Sequence, residues 1–206
     1  MKTSKFRDLI WRDAPLATRE QIELCHAADY VKSIDDMIIE GSITHIDADT
    51  YFGKGSLAAA KRAVGANILA VDSVMSGEFN NVFAAIRPPG HHAETSKAMG
   101  FCIFGNVAIA AKYALKNHGL ERVAVVDFDV HHGNGTQDLL WNEPRTLFCS
   151  MHQSPLWPGS GKVDETGAFD NVLNIPIASN TSGDGVRSSF KEIILPKLEE
   201  FNPELL

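Results

Sequence analysis

The chain has 206 residues, 44% of them hydrophobic and 22% charged, with a formal net charge of −7. That length and composition suit one globular domain with a substantial core. The acidic balance argues against general electrostatic binding to nucleic acid or an anionic membrane, since phosphate binding needs a basic surface. Cys25, Cys102 and Cys149 are too few and too scattered for a disulfide framework or a cysteine zinc site, and read as small buried hydrophobes. The N-terminal MKTSKFRDLIW lacks the apolar core of a signal peptide, and no run is long enough to span a bilayer. A cytoplasmic location is the expectation.

Thr18-Arg19-Glu20-Gln21 fits a capping box, and Ile22, Cys25 and Ala28 or Asp29 follow at helical spacing, which predicts a helix over 19–33. Ser56 is a candidate cap for a second helix with an apolar stripe at Leu57, Ala60, Val64, Ile68, Val71 and Met75. Val82–Ile86, between Asn-Asn and Arg-Pro-Pro-Gly, reads as a buried strand ending in a stiff loop. An alanine-rich helix is expected over 106–117, stopped near Gly119. Strands are expected at 123–128, 146–151 and 172–177, and a last helix at 186–201 that Pro196 should kink or divide. Strands alternating with helices imply an α/β architecture, a parallel sheet covered on both faces, with ligands bound beyond the carboxyl ends of the strands. No repeat, low-complexity tract or linker interrupts it, so one domain is expected.

Polar clusters follow each predicted strand: Arg87–Glu94, Asp127–Asn134, Ser150–Gly161 and a Gly/Ser/Asn stretch. Parallel strands would bring all of them to one rim. Asp129 and His131 are two apart, so on an extended chain both side chains point the same way, and a carboxylate with an imidazole suits Zn²⁺ or a similar metal. Asp127 shares that side and would orient a ligand or hold a second cation. The competing reading is a strand end that is merely the start of a solvated loop. Gly133 and Gly135 are expected to let the backbone turn sharply. His91-His92, stiffened by the preceding prolines, suits general acid–base work, with a surface or capping role as the alternative for an isolated pair. His26 is placed within a helix, His118 at a helix end where it favours the macrodipole, and His132 points away from His131 as a structural residue. His45 and His152 fall near the rim without an identifiable partner.

RPPGHHAE, GFCIFGNVAIAA, DFDVHHGNGTQD and SMHQSPLWPGSG, in this order, closely resemble the histone deacetylase superfamily, with the texture of its class II-like and bacterial acetoin-utilisation and acetylpolyamine deacetylases. The resemblance runs from about residue 15 to the end. Asn134, where many class I members carry aspartate, favours the class II-like side. The resemblance implies a three-layer arginase–deacetylase α/β fold with a mainly parallel sheet, and zinc-dependent hydrolysis of an acetyl-amine amide. It implies Asp129 and His131 as zinc ligands, His92 as general base and acid, and His91 as the imidazole that tunes it. Asp127 and Asn134 match the partners that hydrogen-bond His91 and His92. Asp127, Asp129, His131 and Ser150 match a K⁺ site built partly from main-chain carbonyls. Phe101 and Trp157, with Gly100 nearby, resemble the walls of an acyl-lysine channel. Asp47 corresponds to a rim carboxylate, with Asp49 competing for that role. The implied partner is an acetylated amine, an acetyl-lysine protein or an acetylpolyamine, with no direct binding to nucleic acid or membrane.

The sequence also departs from the family. The expected third zinc ligand, the tyrosine that donates to the substrate carbonyl and a later glycine-rich loop would all follow FNPELL, and the usual HPE-type motif near the amino end is missing. Residues 1–206 therefore read as a partial catalytic domain, inactive or very weak alone, with open apolar edges that favour aggregation or a homo-oligomer. Gly105 replaces a usual asparagine at a predicted helix start, where an asparagine cap would hold better. A binuclear manganese ureohydrolase of the same fold would want a D-x-H-x-D strand end, but Gly133 stands where its second bridging carboxylate belongs. From another class, a non-catalytic module recognising acylated amines or a partner remains open; zinc content separates the two.

Overall fold

A computed structural model describes residues 6–37 and 43–206, so the first five residues of the N-terminal stretch lie outside the described part. The chain opens with α1 (Arg19–Ile22) and α2 (Ala28–Asp35), followed by a small antiparallel pair, β1 (Thr44–His45) and β2 (Tyr51–Phe52). The long α3 (Ser56–Met75) and α4 (Asn106–Asn117) come next. Then strand and helix alternate: β3 (Val123–Asp127), α5 (Asn134–Leu140), β4 (Thr146–Gln153) and β5 (Val172–Ile177). The chain closes with α6 (Gly183–Ser189), a π-helical turn at Phe190–Ile194 and α7 (Leu195–Phe201).

β3, β4 and β5 form a parallel three-stranded sheet in chain order, with Val123 opposite Thr146 and Phe148 opposite Val172. Alternation along the strands separates two apolar layers. Val123, Val125, Phe148 and Val172 join the core under α1–α4, whereas Ala124, Leu147, Cys149, Met151 and Ile175 pack with Ile194 and Leu198 of the carboxyl-terminal helices. This is the three-layer α/β arrangement expected. All three cysteines are buried and free, and burial pushes each thiol up to about 12, which fits small core hydrophobes.

Four expectations need correction. The helix over 19–33 is two helices. Its capping box is present, with Thr18 Oγ1 accepting from the Gln21 N–H and Gln21 Oε1 from the Thr18 N–H, yet residues 23–27 leave the helical path. The chain turns there so that His26 inserts beneath α4: its Nε2 accepts from the Gly105 N–H at 2.9 Å, and the Ala27 N–H donates to the Thr95 carbonyl. Val82–Ile86 is no strand and has no ladder partner among the described residues. Val82 and Phe83 are exposed, the latter at 85%, because an apolar run becomes a strand only where a neighbour can pair with it.

Gly105 is the N-cap of α4 and offers no side-chain cap, but a Cβ there would lie 2.2 Å from Leu139 Cδ1. Close packing, rather than capping, decides that position. The expected last helix is divided just ahead of Pro196, which stands in the first turn of α7. The π turn just before it, with the Leu195 N–H bonded to the Phe190 carbonyl, widens the helix where proline removes an N–H and crowds the preceding turn. Finally, Ser56 is the first residue of α3, not its cap; its hydroxyl accepts from the Gly53 N–H.

Candidate active site

β3 ends at Asp127, and the chain beyond it bends instead of extending. Asp127 Oδ1 accepts the Asp129 N–H at 3.1 Å, and Asp129 Oδ1 accepts the His131 N–H at 2.8 Å. Asp129 and His131 do face the same way, but side-chain-to-backbone bonds across the bend bring them together, not strand alternation. Asp129 Oδ1 and His131 Nδ1 stand 3.2 Å apart and are half exposed. Two donors on a tetrahedral Zn²⁺ with bonds of ~2.0–2.1 Å stand about 3.3 Å apart, so this pair fits two corners of such a site. Among the described residues no group of three or more His, Cys, Asp or Glu side chains is arranged to hold a metal.

His91 and His92 reach the same rim from the other side. The first N–H groups of α5, from Gly135 and Thr136, both donate to the His91 carbonyl, which docks that loop on the helix. A Cβ at Gly135 would fall 2.4 Å from the Ala93 carbonyl oxygen, and one at Gly133 2.3 Å from Asp127 Oδ2. The chain does turn sharply at Gly133, where φ −77° and ψ 63° with the Asn134 N–H on the His132 carbonyl make an inverse γ-turn, while the missing side chains of both glycines allow the close approach.

Two hydrogen-bonded pairs result. His91 Nδ1 lies 2.9 Å from Asp127 Oδ2, and His92 Nδ1 lies 2.8 Å from Asn134 Oδ1. Their electrostatics diverge. Burial alone would keep His91 neutral, but the bond and the charge of Asp127 outweigh it and raise its pKa. Asp127 is held low in turn, the bond to His91 overcoming its own burial. His92 is pushed down to about 4 by burial first, and then by the charge of His91. The two adjacent imidazoles, ring centroids 3.9 Å apart, thus favour opposite protonation states.

The walls also assemble. Gly100, at φ +55°, lies against the site so closely that a Cβ would meet His92 Cδ2 at 2.5 Å and the Trp157 ring at 2.6 Å. Trp157 stands edge-on to His92 at 4.6 Å and to His131 at 5.9 Å between ring centroids. Phe101 is half exposed, and its N–H donates to Thr50 Oγ1. Asp47 Oδ1 accepts the N–H groups of Asp49 and Thr50 and so shapes the loop that Thr50 ties to Phe101. Ser150 is fully buried, with its hydroxyl bonded to His152 Nδ1.

The histone deacetylase domain model matches residues 1–206. The chain belongs to the histone deacetylase family. It is 40% identical over 208 residues to Histone deacetylase 14, chloroplastic, of Arabidopsis thaliana, covering 92% of this chain and 48% of that protein. It is 37% identical over 199 residues to the histone deacetylase-like amidohydrolase of Pseudomonas aeruginosa, covering 95% and 52%. Among solved structures, the crystal structure of the HDA15 HD domain superposes with a TM-score of 0.86 at 32% identity, covering 93% of this chain and 55% of that one. The chain thus spans about half the length of these relatives.

Against this histone deacetylase frame, several histidines acquire partners that spacing did not disclose. His132 is structural as expected, with Nδ1 on Ser160 Oγ at 2.8 Å and Nε2 on Gln137 Oε1 at 3.0 Å. His152, for which spacing offers no partner, bridges Ser150 and the Gly161 carbonyl and lies tilted against His132, ring centroids 4.7 Å apart. Together they anchor the loop that carries Trp157. His26 is a buried pin between loops, not a helix residue, and His118 bonds Asp72 at 2.8 Å. His45 meets Tyr51 edge-on within the β1–β2 pair. Glu94, at the end of RPPGHHAE, is a partner that no spacing points to: its Oε1 lies 2.7 Å from Asn134 Nδ2.

Proposed function

We propose that this chain carries the acid–base half of a zinc-dependent deacetylase that hydrolyses the amide of an acetylated amine, an acetyl-lysine protein or an acetylpolyamine. The observation that carries this reading is the convergence of the His91–Asp127 and His92–Asn134 pairs on the rim that also presents Asp129 and His131. Asp129 and His131 would hold Zn²⁺. When bound there, the metal lowers the pKa of water towards ~7 and polarises the amide carbonyl.

The chain's own residues then divide the remaining work. With Nδ1–H donated to Asn134 Oδ1, His92 keeps the lone pair on Nε2 for the proton of the attacking water, which it later returns to the leaving amine. The positive charge that Asp127 stabilises on His91 opposes premature protonation of His92. Trp157, Phe101 and Gly100 shape a flat apolar approach for the acyl chain, and Asp47 stands as a rim carboxylate for the substrate backbone or amine.

We further propose that the third zinc ligand and the carbonyl-directed tyrosine are supplied by polypeptide outside these 206 residues, so that this chain alone hydrolyses weakly or not at all. A K⁺ held by main-chain carbonyls around Asp127, Asp129, His131 and Ser150 belongs to the same proposal. A non-catalytic acyl-amine-binding module is the second reading, favoured by the two-donor metal set among the described residues. Zinc per chain, measured by elemental analysis with Asp129→Ala as control, separates them. Near one zinc, lost in the variant, supports the enzyme site. No zinc favours the module, and full hydrolysis of an acetyl-lysine peptide by the purified chain would overturn the claim of weak activity.

A further inference from the structure

Asn134 faces two partners of different kinds. One side of its amide meets His92 Nδ1 at 2.8 Å and the other meets Glu94 Oε1 at 2.7 Å, with Met99 Sδ at 3.5 Å as a further weak acceptor. His92 and Asn134 are buried, at 4% and 7% exposure, so bulk water does not substitute for either bond. An ionised carboxylate can only accept. If the amide were rotated, its oxygen would be pressed against the carboxylate oxygen of Glu94 at hydrogen-bond distance. The NH₂ must therefore face Glu94, which leaves the oxygen facing His92 Nδ1. An oxygen there requires Nδ1 to carry the proton, and a neutral imidazole protonated at Nδ1 has its lone pair at Nε2.

We infer that Glu94 is a positioning residue for His92: by fixing which way the Asn134 amide points, it selects the His92 tautomer whose Nε2 is free to accept a proton. This deepens the deacetylase reading and rests on it for the role of His92. It also explains how an asparagine serves at position 134. A carboxylate accepts at both ends, whereas an amide accepts at one and donates at the other, so it needs a neighbour to fix which end faces His92. Glu94 is itself held by a tight turn, its N–H and carbonyl paired with the carbonyl and N–H of Lys97.

The test reads the tautomer directly, by long-range ¹⁵N–¹H correlation of the histidine rings in the 206-residue protein, with His92→Gln to assign the signals. Wild type should show His92 protonated at Nδ1. Glu94→Gln retains a carbonyl acceptor for Asn134 Nδ2 and should keep that tautomer. Glu94→Lys replaces the acceptor with a donor, so the amide should rotate and His92 should become protonated at Nε2. Glu94→Leu, which orients nothing, should show both forms and carries the test if the lysine variant does not fold.

A His92 ring that stays in the Nδ1–H form in folded Glu94→Lys or Glu94→Leu overturns the inference. So does a wild-type ring already protonated at Nε2. Hydrolysis of an acetyl-lysine peptide is assayed separately, on the same variants. Where wild type turns over, Glu94→Lys should lower kcat by about 10²–10⁴ with KM little changed, the range a positioned general base contributes; an unchanged kcat alongside a shifted tautomer overturns the role assigned to that tautomer. A tautomer that moves as expected in a chain that binds no zinc upholds the positioning by Glu94 and counts against the deacetylase reading instead.

Discussion

Asp127 is where charge and geometry meet most tightly, since one carboxylate braces the bend through the Asp129 N–H and pairs with His91. Asp127→Asn keeps the shape and removes the charge. Loss of a hydrogen bond between charged groups in a site this enclosed should cost roughly 1.5–3 kcal/mol, read from urea unfolding at neutral pH. Gly100→Ala is a second test at this scale. Its Cβ has no room between His92 and Trp157, and its φ lies in the left-handed region, so folding should weaken by about 1–3 kcal/mol and the Trp157 fluorescence should change. His26 gives the pH dependence its sign. Burial lowers its pKa from 6.5 to about 4, so between those values the unfolded chain binds a proton that the folded chain refuses. Stability therefore falls as pH drops through that window, by up to roughly 3 kcal/mol from this group. His26→Gln, which preserves an acceptor for the Gly105 N–H, should flatten that limb when unfolding midpoints are compared at pH 7 and pH 5.

At the level of elements, the exposed segment 82–86 makes the clearest prediction. Phe83→Ser should change unfolding free energy by less than about 0.5 kcal/mol, because the ring is already in water, while reducing self-association in sedimentation velocity. The same segment marks the limit of what the sequence discloses. β3, β4 and β5 were readable as runs of β-branched and apolar residues with turn signals at each end, and β5 was placed to the residue. Val82–Ile86 carries the same local signal but lacks the neighbour that would make it a strand. The break between α1 and α2 was unreadable for a similar reason: its cause lies 69 and 79 residues away, at Thr95 and Gly105. In the site, spacing suggested Asp129 with His131, although by the wrong local geometry. The pairing of His91 with Asp127 and of His92 with Asn134 came only from resemblance to a family, and no periodicity could have supplied Glu94.

For the molecule as a whole, the proposed zinc links binding to stability. A ligand that binds only the folded state stabilises it by about 2.7 kcal/mol at one hundred times its dissociation constant. Added Zn²⁺ should therefore raise the thermal midpoint of the wild-type chain and leave Asp129→Ala unmoved; a rise of equal size in both would assign the effect to other surface ligands. The order of the sheet carries a different consequence. β3, β4 and β5 stand side by side as they leave the chain, so each pairing closes across a single short crossover. His91 meets Asp127 only across 36 residues and His92 meets Asn134 across 42, with α4 lying between them in sequence and docked on β3. These longer closures cannot precede the docking that brings them within reach. The two imidazoles gain their carboxylate and their amide only once that layer is in place, so a half-assembled chain holds histidines, aspartates and an asparagine without their pairing: the proposed proton acceptor is a property of the finished fold.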